Sequence, residues 1–183
     1  MSTTARPGSF QGRVQVYTGN GKGKTTAALG LALRAAGHGM RTYIGQFLKG
    51  QPTGEIEAVA RLTPLIVIEQ FGRKGFIRVA EGGPDDEDVE RARRGLRKCL
   101  DAMLSGDFRI VVLDEVNTAV YFKILAEPEI LDVLAKKPAG VEVVLTGRYA
   151  PASFLERADL VTEMKDVKHY GDGGVKAREG IEK

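Results

Sequence analysis

The segment Thr18-Gly19-Asn20-Gly21-Lys22-Gly23-Lys24-Thr25-Thr26 lies near the start of the chain. It follows Val14-Gln15-Val16-Tyr17, which has the character of a strand, and it precedes the apolar, helix-forming residues 27–36. A glycine-rich turn between a strand and a helix lets successive backbone N–H groups point at one anion, and the start of the helix adds the positive end of its dipole. The segment therefore predicts a loop that holds a chain of phosphates.

Within this loop, single residues have separate predicted roles. Lys24 is expected to reach the phosphates, Lys22 to add a second positive charge, and the Thr25 hydroxyl to bind a divalent metal. The usual pattern has its first glycine where this chain has Thr18, so Gly19 comes one residue late. A simpler alternative is a glycine-rich turn before a buried helix, but it explains neither the paired lysines nor the Lys-Thr-Thr at the helix start. The predicted cradle comprises Gly19, Asn20, Gly21, Lys22, Gly23, Lys24, Thr25 and Thr26.

The composition sets broad limits on the class of protein. The 183 residues suit a single domain, which we expect over residues 13–183 after a flexible arm at 1–12. With 27 basic and 24 acidic residues, the net charge of +3 is too small to indicate nucleic-acid binding by itself. Cys99 is the only cysteine, which excludes an internal disulfide and a multi-cysteine metal site. Without an apolar run of signal-peptide or membrane-span length, we expect a soluble cytoplasmic protein.

Apolar runs separated by helix-like segments predict six strands. The run Leu65-Ile66-Val67-Ile68 has no polar break, which is typical of a strand covered on both faces and favours a parallel sheet. The pattern as a whole predicts an α/β protein, a RecA-like, P-loop NTPase-like three-layer sandwich with a mostly parallel six-stranded sheet. The other predicted strands are 14–17, 41–48, 108–113, 141–145 and 160–164.

Polar residues follow two of these strands. Asp114-Glu115 comes directly after the run 108–113, where phosphate-loop proteins place the carboxylate that holds a metal. A helix N-cap by Asp114 is an alternative that is compatible with that role. Thr146-Gly147-Arg148 follows the strand 141–145, and Arg148 either touches a phosphate or is an exposed loop arginine.

Three further segments follow from the sequence pattern, and two of them allow two interpretations. The loop 72–84, with Arg73, Lys74, Phe76 and Arg78, follows a strand on the edge where open α/β sheets bind ligands, but its composition also suits a plain surface loop. The helix 85–104 carries many charges, which match the helix dipole and lack the aromatic residues of a nucleic-acid face. Its apolar stripe comprises Val89, Ala92, Leu96, Leu100 and Met103, with Cys99 beside it. The polar tail 166–183 would be disordered if it were free.

Taken in order, several short motifs resemble the corrinoid adenosyltransferases of the phosphate-loop type. The resemblance covers roughly residues 13–183, and the late glycine is that family's own variant. Many members have Trp two residues after a Phe, whereas this chain has Arg78 after Phe76. The motifs are the phosphate loop at 18–26, Gln46-Phe47 with Lys49-Gly50, Leu113-Asp114-Glu115, Thr146-Gly147-Arg148, and Val167-Lys168-His169 with Gly174, Lys176, Ala177 and Gly180-Ile181.

The resemblance implies transfer of the 5′-deoxyadenosyl group of ATP to the cobalt(I) of a reduced corrinoid, with release of triphosphate. Lys22, Lys24 and Glu115 are the implied catalytic residues, and Thr25, Asp114 and Glu115 the implied Mg²⁺ ligands. Lys49, Phe76, Arg148 and His169 are expected to complete the substrate site. The implied partners are a reductase that supplies the cobalt(I) corrinoid and a second copy of the chain, with no nucleic acid and no membrane. The rival hypotheses are a RecA-like ATPase acting on nucleic acid and a small-molecule kinase that uses arginines of the loop 72–84 as a lid.

Overall fold

The computed structural model describes residues 10–73 and 83–182, and within them β-strands and α-helices alternate. The strands are β1 (Val14–Thr18), β2 (Thr42–Phe47), β3 (Ile66–Phe71), β4 (Ile110–Asp114), β5 (Glu142–Thr146) and β6 (Leu160–Glu163). The helices are α1 (Lys24–Ala36), α2 (Gly54–Ala60), α3 (Asp86–Leu104), α4 (Val116–Tyr121), α5 (Glu127–Ala135) and α6 (Ala152–Arg157). A 3-10 turn spans Tyr170–Gly173.

The six strands form one sheet in the order β3-β2-β4-β5-β1-β6. Each neighbouring pair is parallel. All strands therefore end at the same edge, and the loops that follow β1, β2, β4 and β5 lie near one another there. This arrangement confirms the predicted α/β class and sheet.

Alternate residues of each strand pack on opposite faces of the sheet, which produces two apolar cores. Val14 and Val16 of β1 pack with the helices α3 to α6 on one face. Tyr17 of the same strand packs with α1 and α2 on the other face. The buried side of α1 consists of small residues, Ala28, Ala32 and Ala35, so this helix lies close to the sheet. The fold is thus a three-layer sandwich.

The prediction that the third strand is covered on both faces is confirmed only in part: Val67 packs against one core and Ile68 against the other, but the cover is incomplete. β3 is an outermost strand, and its four central residues are only partly buried. The short helix α2 contacts β3 but has seven residues, too few to shield it fully. β-branched residues are favoured in strands wherever they pack on one face, so an apolar run alone does not distinguish a central strand from an edge strand.

The helix α3 begins as predicted, because the Asp85 side chain accepts a hydrogen bond of 2.9 Å from the Glu87 backbone N–H. Cys99, however, lies within the buried stripe and not beside it, since it is fully buried while Leu100 is only partly so. It faces Gly45 of β2, where a β-carbon would lie 2.5 Å from the Cys99 sulfur. Burial raises the pKa of the Cys99 thiol well above its ordinary value.

Two of the predicted segments lie partly outside the described residues. Of the arm at 1–12, only residues 10–12 are described, and the Gly12 backbone N–H donates to the Ala139 carbonyl at 2.8 Å. Of the loop 72–84, Lys74, Phe76 and Arg78 lie outside the described residues. Arg73 is described and makes a two-pronged ion pair with Asp88, at 2.7 and 2.6 Å. In the part of the chain that the structure covers, every helix is too short or too polar to cross a membrane.

Candidate active site

The phosphate loop connects β1 to α1 at the carboxyl edge of the sheet and is held against the end of β6. The Gly21 N–H donates to the Met164 carbonyl at 2.7 Å. Gly19 has a φ of 94°, and a β-carbon on it would lie 2.4 Å from the Met164 carbonyl oxygen. Only glycine therefore fits this close approach of two backbones. The late glycine of the sequence pattern is the residue that lets the loop pack here.

Lys24, the first residue of α1, points back into the loop. Its ammonium group donates to the Gly19 and Gly21 carbonyls, at 2.8 and 2.6 Å, and the residue is 7% exposed. Burial lowers the pKa of Lys24, with the attraction of Glu115 acting in the opposite direction. The cation at the mouth of the loop thus has backbone carbonyls as neighbours, which a phosphate oxygen could replace with a stronger, charge-assisted hydrogen bond.

Asp114 ends β4 and is fully buried beneath the phosphate loop. One carboxylate oxygen accepts hydrogen bonds from the hydroxyls of Thr25 and Thr146, at 2.9 and 2.7 Å. The other accepts from the Lys49 ammonium at 2.9 Å and the Gln46 amide at 3.2 Å. A carboxylate offers about four acceptor positions. All acceptor positions of the Asp114 carboxylate are therefore occupied, by donors from α1, β2 and β5 and by Lys49.

Lys49 lies after β2 and also approaches Thr25, with 3.3 Å between its ammonium nitrogen and the threonine hydroxyl. Burial opposes the charge on Lys49, but the attraction of Asp114 and its hydrogen bond outweigh burial, so the pKa of Lys49 is raised. The chain reverses immediately before it, because Leu48 has a φ of 61°. The left-handed turn directs Lys49 toward the phosphate loop.

Glu115 follows Asp114 and also has a left-handed backbone, with a φ of 65°. Its N–H donates to the Thr146 hydroxyl at 2.9 Å, and one of its carboxylate oxygens accepts from the Thr118 hydroxyl at 2.6 Å. Unlike Asp114, Glu115 is only partly buried and lines the pocket beside the phosphate loop. A non-glycine residue with positive φ stores strain that its surroundings must offset, and such residues are frequent at functional sites.

A cleft of about 760 Å³ opens over the phosphate loop. Its volume falls within the range usual for small-molecule sites. Leu29, Ala58 and Ile181 supply an apolar part of the wall. Its charged and polar lining outside the phosphate loop comprises Lys49, Glu55, Glu115, Arg148, Asp166, His169 and Glu182.

The tail, which would be disordered if free, returns to the cleft over the phosphate loop, where Asp166, His169 and residues 180–182 form part of the wall. The Lys22 ammonium donates to the Ile181 carbonyl at 2.8 Å and to the Glu182 carboxylate at 3.2 Å. Arg178 and Tyr170 also donate to the Glu182 carboxylate. Lys22 therefore lines the cleft with its ammonium group engaged by the tail.

The structure brings most of the predicted site residues together. The residues from Asn20 to Thr26 line the cleft with Lys49, Glu115, Arg148 and His169, while Gly19 lies beneath it as an acceptor for Lys24. Asp114 lies behind this surface, and Phe76 lies outside the described residues. Of the tail pair, His169 lines the cleft but Lys168 does not.

Sequence reasoning assigned no role to Glu55, Asp166 or Glu182, each of which lines the cleft. Gln46 and Thr146, which orient Asp114, were noted only as parts of the resembling motifs. A signal for these two was available, because each is a polar residue in an otherwise apolar strand. For the three acids the sequence carried none.

Oxygen atoms suited to Mg²⁺ are present at the loop. The Thr25 hydroxyl donates its proton to Asp114, and of its two lone pairs only one faces the Lys49 ammonium, so one remains for a cation. Glu115 supplies a carboxylate in the same cleft. Within residues 10–73 and 83–182, no cluster of three or more His, Cys, Asp or Glu side chains is arranged to hold a metal. The donor set therefore fits a metal that keeps phosphate and water oxygens as its remaining ligands, as Mg²⁺ does at nucleotide sites.

A glycine-rich loop that leads from β1 into α1, in an all-parallel sheet covered by helices on both faces, places the chain in the P-loop NTPase-like class of α/β proteins. Within that class, residues 10–182 match the model of the family described as ATP:corrinoid adenosyltransferase BtuR/CobO/CobP. The chain belongs to this family, and it is a transferase.

Curated relatives agree with this assignment. The corrinoid adenosyltransferase of Pseudomonas aeruginosa is 37% identical over 172 residues, which cover 94% of this chain and 84% of the relative. The corrinoid adenosyltransferase CobA of Salmonella typhimurium is 39% identical over 175 residues, which cover 94% of this chain and 86% of the relative. The corrinoid adenosyltransferase of Escherichia coli is 37% identical over 173 residues, with the same two coverages.

Proposed function

We propose that this chain transfers the 5′-deoxyadenosyl group of ATP to the cobalt(I) of a reduced corrinoid and releases intact triphosphate. The observation that carries the proposal is a phosphate loop at the floor of a cleft, in a member of the ATP:corrinoid adenosyltransferase family. The bond that breaks joins C5′ to the triphosphate oxygen, and the bond that forms joins C5′ to cobalt. Cobalt(I) supplies the electron pair, and the triphosphate leaves with the pair of the broken bond.

This reaction needs no general base, because no proton is removed from the nucleophile. The proposal therefore gives neither histidine of the chain such a role. His38 lies on the turn after α1, away from the cleft, and the Nδ1 of His169 accepts the Gly171 N–H at 3.0 Å. The work left to the protein is to orient C5′ toward cobalt and to stabilise the charge that develops on the leaving triphosphate.

The positive groups at the loop are proposed to hold that leaving group. Lys24 would exchange the Gly19 and Gly21 carbonyls for phosphate oxygens, while the N–H groups at the start of α1 donate hydrogen bonds to the same oxygens. Lys22 would join them once it parts from the tail, and Arg148 borders the same cleft. Thr25, together with Asp114 or Glu115, would hold Mg²⁺, which neutralises part of the triphosphate charge when it is bound.

Three finer features complete the proposal. A reductase supplies the cobalt(I) corrinoid, the enzyme works in the cytoplasm, and two copies of the chain form a homodimer. The support for a dimer includes an exposed edge strand, β6, whose Leu160 and Val161 are 45% and 44% exposed. Neither nucleic acid nor membrane has a part in the proposed reaction.

The test is anaerobic turnover of a chemically reduced corrinoid with ATP and Mg²⁺, with the cobalt absorption spectrum and the phosphate product recorded together. We expect an alkylcobalt product and one equivalent of triphosphate. ADP would indicate a kinase, and DNA-stimulated release of phosphate would indicate a nucleic-acid ATPase; either would contradict the proposal. The kinase alternative also requires arginines of the loop 72–84 to act as a lid. One of them, Arg73, is already paired with Asp88 and Asp85.

A further inference from the structure

Lys49 lies where a cation bound by Thr25 and Asp114 would be. Its ammonium nitrogen is 2.9 Å from Asp114 Oδ2 and 3.3 Å from Thr25 Oγ1. Thr25 Oγ1 is in turn 2.9 Å from Asp114 Oδ1. The threonine and the aspartate are the two side chains that hold the metal in phosphate-loop NTPases. In this chain the space between them is bordered by a positive side chain of the protein itself.

The charges explain why Lys49 is held there. Asp114 has 1% of its side chain exposed, and a buried carboxylate without a cationic partner is costly. Lys49 cancels that charge, and Gln46, Thr25 and Thr146 fill the remaining acceptor positions. A divalent ion arriving alone would have to approach an ammonium group closely and find Asp114 already saturated. The Lys49–Asp114 pair is therefore neutral at rest and leaves no oxygen of Asp114 free for a metal.

A nucleotide changes this balance. A triphosphate brings about four negative charges, and Lys49, which is 28% exposed, borders the cleft that would receive them. The phosphate oxygens supply both a new partner for the ammonium and the ligands that the metal needs. Release of Lys49 from Asp114 and entry of the metal are then linked, because both follow from the arrival of the same anion.

We propose that Lys49 is a resident counter-ion that closes the Thr25–Asp114 position to free divalent metal, so that the metal enters only together with the nucleotide. The proposal rests on the proposed function in one respect, namely that the loop binds a metal–nucleotide complex. It adds a positioning role for Lys49 that acts through Asp114, separate from any contact with the reacting atoms.

The test measures Mn²⁺ binding to the nucleotide-free protein by electron paramagnetic resonance, with no corrinoid present. Wild-type protein is expected to bind Mn²⁺ weakly, and Lys49→Met to bind it at least tenfold more tightly, because the variant leaves Asp114 without its cation. Lys49→Arg keeps the charge and should resemble wild type. Lys22→Met is the matched control: it removes the same charge from the same cleft at a lysine that contacts the tail and not Asp114.

If Lys49→Met unfolds, the Mn²⁺ affinity of wild-type protein without nucleotide still tests the proposal. If it folds, a second variant shows whether the added affinity comes from Asp114. Asp114→Asn removes the carboxylate, so the double variant Lys49→Met/Asp114→Asn has no unpaired buried charge and should lose the added Mn²⁺ affinity. Tight Mn²⁺ binding by wild-type protein without nucleotide would overturn the proposal, as would equal affinities of wild type and Lys49→Met. Since neither ATP turnover nor corrinoid enters the measurement, its outcome is independent of whether triphosphate is the product.

Discussion

At the level of single residues, left-handed turns at the ends of strands direct charged side chains into the site. Leu48 and Glu115 have left-handed backbones at the ends of β2 and β4, and these turns direct Lys49 and the Glu115 carboxylate toward the phosphate loop. Asp114 is held by four donors before any ligand arrives. Preorganisation of this kind lowers the cost of ordering the site when substrate binds.

Lys24→Ala tests the role of the lysine at the mouth of the loop. We expect triphosphate release to fall on the order of 10²-fold or more, because a charged donor to the leaving group is lost. The fold should survive, since Gly21, whose carbonyl Lys24 now satisfies, lines the cleft, where water can replace the ammonium group. The loop is also held by the hydrogen bond from the Gly21 N–H to Met164. Steady-state kinetics and the circular-dichroism spectrum provide the two measurements.

Lys136→Ala is a matched control, because Lys136 is an exposed lysine at the end of α5. This variant should retain wild-type activity. Full activity of Lys24→Ala would show that the lysine does not contact the leaving group.

At the level of secondary-structure elements, small residues determine how closely a helix can approach the sheet. Gly95 of α3 packs against the Phe71 ring of β3, and a β-carbon there would lie 2.5 Å from the ring. Gly30 of α1 lies at a comparable interior position of its helix, but nothing lies within 4 Å of its β-carbon position. Each glycine therefore lowers the intrinsic stability of its helix by a similar amount. Only Gly95 is required by the packing around it.

This pair gives a prediction for stability. Gly95→Ala should destabilise the protein by about 1–3 kcal/mol, because the clash with Phe71 exceeds the gain in helix propensity. Gly30→Ala should stabilise it by roughly 0.4–1 kcal/mol, because the gain meets no clash. Urea unfolding of both variants measures the difference. Equal shifts in the two free energies of unfolding would show that α3 does not approach β3 as closely as described.

At the level of the whole molecule, the cleft is completed by segments far apart in sequence. The contact between Lys22 and Glu182 joins residues 160 positions apart, and it brings an acidic group of the tail beside a loop that is expected to bind phosphates. Because of this contact, the tail and a nucleotide are expected to compete for Lys22.

Glu182→Gln tests that competition. Removal of the negative charge beside Lys22 should tighten ATP binding, measured by calorimetry, and should make the tail more susceptible to protease. Glu179→Gln serves as the control, because Glu179 is an exposed acid of the same segment that does not line the cleft. Weaker ATP binding by Glu182→Gln would indicate that the tail assists the nucleotide and does not compete with it.

The phosphate loop, the alternation of strands and helices and the acid after β4 could be predicted from the sequence because each is a local pattern. Such patterns involve only residues that are close in sequence, for example a glycine in a turn, the spacing of apolar residues or an aspartate that caps a helix. For the same reason the residues 18–26, Asp114-Glu115 and Arg148 could be proposed for one site: parallel strands end at the same edge whatever their order.

Tertiary contacts decided the rest. The edge position of β3, the place of Cys99 in the core and the packing of the tail on Lys22 all depend on residues that are distant in sequence, and no local pattern encodes them. The same holds for the partner of Lys49: the sequence shows a lysine after a strand, but only the adjacent pairing of β2 with β4 brings it to Asp114. Side-chain charge is a local property, whereas the group that neutralises it is set by the fold.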